Sequence, residues 1–220
     1  MKKLLTCFTL GLLIILPARA DEVLFHDDFK DKLGAGWSWV RENRSAWRVS
    51  ERGLEVRVEP GNLWGQANDA KNLLVRPAPE TVPGELEITV TIENHPTQQY
   101  EQVNLSWYYD DRHMVKLGQE LVDGKLCIVM GREEADRPRT VNILPLTSDR
   151  VKLRYLVGVK RLRGQCQPEG SDTWQEVGEC DLPAPGNVRP KIGLQFYQGP
   201  ADAEHWARVT DFRVRRLAVR

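Results

Sequence analysis

The feature that most constrains this chain is the period of its hydrophobic residues, which is two almost throughout. Glu85-Leu-Glu-Ile-Thr-Val-Thr-Ile-Glu93 alternates polar and apolar over its whole length, the pattern of a strand buried on one face. Gln102-Val-Asn-Leu-Ser-Trp-Tyr-Tyr109 does the same, Asp110-Asp111-Arg112 turns the chain, and His113–Gln119 returns, so this stretch reads as a β-hairpin. Further strands are expected at Val23–Phe29, Trp47–Val49, Gly53–Val58, Asn72–Val75, Lys125–Met130, Arg139–Ile143, Val151–Val159, Thr173–Gly178, Lys191–Tyr197 and His205–Arg216. Between them lie turn signals such as Pro60-Gly61-Asn62, Asp123-Gly124 and Pro185-Gly186-Asn187. No window of about twelve residues carries a helical stripe. Many short strands with no helices to cover a parallel sheet imply an all-β, two-sheet antiparallel sandwich.

The first 20 residues stand apart. Met1–Ala20 opens with Lys2-Lys3, runs apolar from Leu4 to Leu16 and ends Ala18-Arg19-Ala20, the pattern of a secretory signal peptide cut after Ala20. The apolar run falls short of the roughly 20 residues that span a bilayer, so no stable membrane insertion is expected. The chain is read as a signal peptide over 1–20 and one domain over 21–220, with a secreted or periplasmic destination. The leader holds three of the 31 basic residues and none of the 31 acidic ones. The domain is therefore nearly neutral and lacks the positive field that nucleic-acid binding needs.

Three cysteines remain in the domain: Cys127, Cys166 and Cys180. If the segment 160–180 is a hairpin turning at Glu169–Thr173, Cys166 faces Gln175 and Cys180 lies too far along the strand for a disulfide. They read equally well as small buried hydrophobes.

Several segments look like a known family. Trp37-Ser-Trp-Val-Arg-Glu42, Trp47, Gly53-Leu-Glu-Val56, Leu73-Leu-Val-Arg76, Gln102–Tyr109 with its Asp-Asp turn, Gly170-Ser-Asp-Thr-Trp174, Ile192-Gly-Leu194 and Thr210-Asp-Phe-Arg-Val214 resemble concanavalin A-like jelly-roll domains. The nearest are those C-terminal in bacterial β-xylosidases and their stand-alone secreted relatives. The resemblance implies a concave sheet whose outward side chains form a carbohydrate groove. Alternation assigns the residues: with Val103, Leu105, Trp107 and Tyr109 buried, Gln102, Asn104, Ser106 and Tyr108 face outward. Lys116 and Glu120 follow on the return strand, and Gly193, Gln195 and Tyr197 on Lys191–Tyr197. Amides and carboxylates can chelate vicinal sugar hydroxyls, and aromatic faces stack on pyranose rings. Trp64 sits in the polar loop Gly61-Asn-Leu-Trp-Gly-Gln-Ala-Asn68, where an indole has little packing reason to be, and it joins the set as a ligand platform. Trp37, Trp39 and Trp47 are assigned to the core or its rim.

The expected ligand is thus a polysaccharide or oligosaccharide, held without catalysis by a monomer, at Gln102, Asn104, Tyr108, Lys116, Glu120, Gln195, Tyr197 and Trp64. Two alternatives stand: a glycan-cleaving enzyme (glycoside hydrolase or polysaccharide lyase) using Glu120 with Lys116 or Tyr197, and a protein-binding adhesion module. Catalytic carboxylate pairs are not evident, since Glu133, Glu134 and Asp136 read as a solvated loop. No cofactor is required. Related jelly rolls hold a structural Ca²⁺ where their termini meet, and the resemblance nominates Asp27, Asp28 and Asp211 for it.

Overall fold

The computed structural model describes residues 20–82 and 84–218; the expected signal peptide lies outside them apart from Ala20. Among the described residues, fifteen strands form two antiparallel sheets. Sheet A runs β13 (Gln175–Asp181), β12 (Arg161–Pro168), β11 (Arg150–Val157), β6 (Leu86–Glu93), β15 (Trp206–Arg216), β4 (Gly53–Arg57), β3 (Trp47–Ser50), with β1 (Glu22–Asp27) also pairing β15. Sheet B runs β10 (Arg137–Pro145), β9 (Lys125–Glu134), β8 (His113–Val122), β7 (Gln102–Asp110), β14 (Lys191–Tyr197), β5 (Leu73–Pro77), β2 (Ser38–Val40). The chain is the all-β sandwich its alternation predicts. Among the described residues no helix is long and apolar enough to cross a membrane.

The main core lies between the sheets. Ile88, Val90 and Ile92 of β6 meet Val103, Leu105 and Trp107 of β7, all at most 1% exposed. Tyr155 of β11 ties the layers together: its hydroxyl lies 3.1 Å from both Leu105 O and Val115 O in sheet B. It thereby finds acceptors for a donor that would otherwise be stranded in hydrocarbon.

One strand departs from strict alternation. In β15, Ala207 and Val209 point into the core, and so do Phe212 and Val214, which have the opposite parity. A register shift between Thr210 and Arg213, with Asp211 at φ 50°, supplies the extra residue. Such a bulge resets the face that a strand presents. It delivers Phe212 to an aromatic cluster with Phe25, Phe29 and Trp37, so Trp37 is a rim residue, as are Trp39 and Trp47. The cysteines follow the hairpin geometry: Cys166 pairs opposite Gln175 and Cys180 opposite Leu162. All three thiols are free and buried.

Where the termini meet, the three nominated carboxylates do not converge. Asp28 and Asp211 lie 3.9 and 3.5 Å from His26 Nε2, and Asp211 is also held by Lys152 and Arg213. Asp27 turns away and accepts Phe29 N, Gly34 N and the Trp37 indole N–H at 2.8–2.9 Å. Among the described residues no group of three or more metal-ligating side chains is gathered anywhere. Asp27 fixes the strand exit through its three N–H donors, so Asp27→Ala should cost about 3 kcal/mol in urea unfolding. A chelator should leave the unfolding midpoint of the unaltered protein in place.

Candidate functional site

The outer face of sheet B is a grid whose rows are set by strand register. Lys116 of β8 lies opposite Gly131 of β9 on one side and Ser106 of β7 on the other, and Ser106 in turn opposite Gly193 of β14. The next row is Gly118, Asn104, Gln195, and the next Glu120, Gln102, Tyr197. Alternation thus brings Gln102, Asn104, Lys116, Glu120, Gln195 and Tyr197 to one face, opposite the main core.

That face is covered rather than open. Gln102, Asn104, Lys116, Gln195 and Tyr197 are at most 2% exposed, and Glu120 only 7%. Part of the cover is the segment 61–72. Asn62 folds it: its side-chain oxygen accepts Leu63 N and Trp64 N, its amide donates to Trp64 O, and Asp69 accepts Asn62 N. Asn62 O takes the N–H groups of Asp69 and Ala70, and Gly61 O takes that of Gln198. Leu63, Ala70 and Leu73 then pack with Val75, Tyr108, Met114 and Tyr197 in a second hydrophobic cluster. Arg41 closes the far end, donating to Ala70 O and, through two nitrogens, to Asp111.

Two expectations are corrected here. Tyr108 and Tyr197 face outward in the sense of the sheet, yet at 5% and 0% exposure neither ring offers a stacking surface. They are the floor of the second cluster, and the Tyr108 hydroxyl donates to Asp111 at 2.7 Å. Trp64 is not a free-standing platform. Its half-buried ring lies 4.6 Å from Lys116 Nζ and rests directly on Gly131, where a Cβ would stand 2.5 Å from the indole. Only glycine leaves room for that seat.

A chain of polar contacts runs beneath. Lys116 Nζ donates to Gln102 Oε1 at 2.6 Å and to Glu120 Oε2 at 3.0 Å, and Asn104 Nδ2 donates to the same Gln102 oxygen at 3.0 Å. Burial pulls the Lys116 ammonium below its usual value, against the pull of Glu120 and Glu133. Burial pushes the Tyr197 phenol well up. Asn104 Oδ1, Ser106 Oγ, Gln195 Oε1 and Tyr197 OH are buried with no hydrogen bond of good geometry, although the Asn104 side chain lies close enough to the Tyr197 phenol to favour its ionised form; a buried group left unsatisfied costs about 1–3 kcal/mol.

Glu133 is the residue that the solvated-loop reading misses. It lies on β9, fully buried, and its two oxygens accept Gly65 N at 3.1 Å, clamping the Trp64 segment to the sheet. The signal was present: Cys127, Val129, Gly131 and Glu133 continue the outward parity set by inward Ile128 and Met130. Burial raises its carboxyl to about 7, opposed by the Gly65 N–H.

An antiparallel sandwich with a polar layer under one sheet defines the class: a concanavalin A-like jelly roll. Residues 26–214 match the β-xylosidase C-terminal concanavalin A-like domain, and the chain belongs to that family. No curated protein matches it in sequence. A GH43 protein from Bacillus licheniformis superposes with TM-score 0.73 at 20% identity, over 87% of this chain and 38% of that one. A xylan β-1,4-xylosidase from Bacillus halodurans C-125 gives 0.71 at 21%, over 87% and 38%. The chain thus spans well under half of these two solved proteins. A functionally unknown protein from Saccharomyces cerevisiae gives 0.64 at 13%, over 82% and 96%.

Two measurements follow from the clamp. Gly131→Ala drives a methyl into the indole, and amide exchange over residues 61–71 should speed up while that of β6 and β7 stays slow. Because the folded protein holds the Glu133 proton more tightly than the unfolded chain does, unfolding releases it between pH 4.5 and about 7. Stability should therefore fall as pH rises through that window, and Glu133→Gln should flatten that part of the curve.

Proposed function

We propose that this chain is a secreted, non-catalytic carbohydrate-binding domain whose ligand contacts the outer face of sheet B. The observation that carries the reading is the Lys116 ammonium, 2% exposed, held between Gln102 and Glu120 on a sheet face that the fold could have filled with hydrocarbon. Replacing a buried ion pair by apolar residues is often neutral or stabilising, so this one has a use beyond stability. Glu120 supplies a carboxylate at the margin of this face, a group that can accept hydrogen bonds from sugar hydroxyls. Membership in a family of β-xylosidase domains supports a saccharide ligand. The charged start, short apolar run and small residues before Asp21 support export.

One observation favours a second reading. Glu133, raised to about 7, and Lys116, lowered, influence each other's protonation beneath Trp64, and groups so tuned can exchange protons in glycan cleavage.

The mature chain, whose first residue on export should be Asp21, can be passed over a panel of immobilised polysaccharides with reducing ends assayed in parallel. Retention without release is expected. The double variant Lys116→Met/Glu120→Gln should lose retention at least tenfold while its Tm stays within a few degrees. Release of reducing ends that Glu133→Gln abolishes would establish the second reading instead.

A further inference from the structure

We propose that the layer beneath the Trp64 segment is an inner seat for one neutral sugar ring, and that the Trp64 indole is the plug that fills its entrance. This rests on the carbohydrate reading above and extends it to ligand class and gating.

Lys116 forces the amide orientations of Gln102 and Asn104 in this layer. Lys116 can only donate, so Gln102 must turn its oxygen to it, which sends Gln102 Nε2 to Tyr100 O at 2.9 Å. Asn104 must then give its nitrogen to that same Gln102 oxygen, leaving Asn104 Oδ1 without a donor. Gln195 spends its nitrogen on Met114 Sδ at 3.4 Å, leaving Gln195 Oε1 likewise. Gln195 is the cross-strand partner of Asn104. Ser106 lies two residues along β7 from Asn104, and its hydroxyl lacks a partner; Tyr197 lies two along β14 from Gln195, and its phenol has the Asn104 side chain as a neighbour but makes no hydrogen bond of good geometry. All four residues are 0% exposed. Two acceptor oxygens and two hydroxyls, from adjacent positions of neighbouring strands on one face, therefore await partners.

The two amide oxygens can be completed only by donors, and the two hydroxyls by either donors or acceptors. A carboxylate or phosphate brings only acceptors, which the two amide oxygens would repel, and two of the three Lys116 N–H donors are already taken by Gln102 and Glu120. A metal cation would be repelled by that same ammonium. A ring carrying several hydroxyls supplies donors and acceptors together, without charge.

The ring cannot enter while the indole is seated. Trp64 sits on the bare Gly131 backbone and over Lys116, and its segment is fastened through Gly65 N to Glu133. A flat apolar group in that position does for the sheet what the face of a sugar would do, so binding exchanges one for the other. Removing the indole should then strengthen binding, the reverse of what a stacking platform gives.

The test uses the mature chain and its variants in calorimetric titrations with xylohexaose, cellohexaose and mannohexaose, and with trigalacturonate as the acidic probe. Trp64→Ala should bind one of the neutral hexaoses at least ten times more tightly than the parent, with no gain for trigalacturonate. Adding Gln195→Leu to Trp64→Ala should abolish that gain. If the double variant fails to fold, Ser106→Ala, which removes one unpartnered oxygen, reads the same effect. Weaker binding by Trp64→Ala would make the indole a platform and overturn the plug while leaving carbohydrate binding intact. A gain that survives both Gln195→Leu and Ser106→Ala would overturn the inner seat, as would an equal gain for trigalacturonate. Failure of parent and Trp64→Ala alike to bind any probe would overturn both this inference and the carbohydrate reading.

Discussion

A lysine ammonium sealed into a sheet face is the constraint around which the second half of this structure is arranged. Lys116 keeps its charge away from water only because Gln102, Glu120 and the Trp64 ring surround it. Desolvating a charge costs several kcal/mol even after relaxation, so every neighbour must be in register. Register on β7, β8 and β14 is in turn enforced from the opposite face. There Val103, Leu105, Trp107, Val115, Leu117, Ile192 and Leu194 interlock with sheet A. A slip of one residue would send hydrocarbon outward and amides into the main core. The hydrophobic layer thus sets the positions at which the polar layer can work.

The central strands of sheet B, β7, β8 and β14, are consequently buried on both faces, whereas the outer face of sheet A is a lattice of ion pairs. Glu87 is shared by Arg154 and Arg215, and Arg208 bridges Glu55 and Glu93. These pairs face solvent in part and contribute little each. The contrast is what the proposed function rests on: the buried polar groups of sheet B occupy positions where apolar ones would cost less.

Much of the fold was legible from residue order. The parity of Gln102–Tyr108, the pairing of Cys166 with Gln175 and the rim position of Trp37 all follow from alternation and turn placement. The outward set was readable for the same reason. Its concealment was not, because Tyr108 and Tyr197 are covered by a segment about 40 to 130 residues away in the chain. That segment carries no period and declares its contacts only on folding. Glu133 was misplaced because three charged residues around Ala135 resemble a solvated loop, although β9 continues through them.

Sequence alone determined that the chain forms two antiparallel layers and which side chains leave the core on the strands that keep strict alternation, since a pleated backbone offers only two directions per residue. Tertiary structure decided what happens to the side chains that leave. On sheet A they meet water and one another. On sheet B they meet an indole that fits because residue 131 has no side chain, and a glutamate that holds the loop in place. That outcome depends on contacts between segments far apart in the chain, which no local pattern encodes.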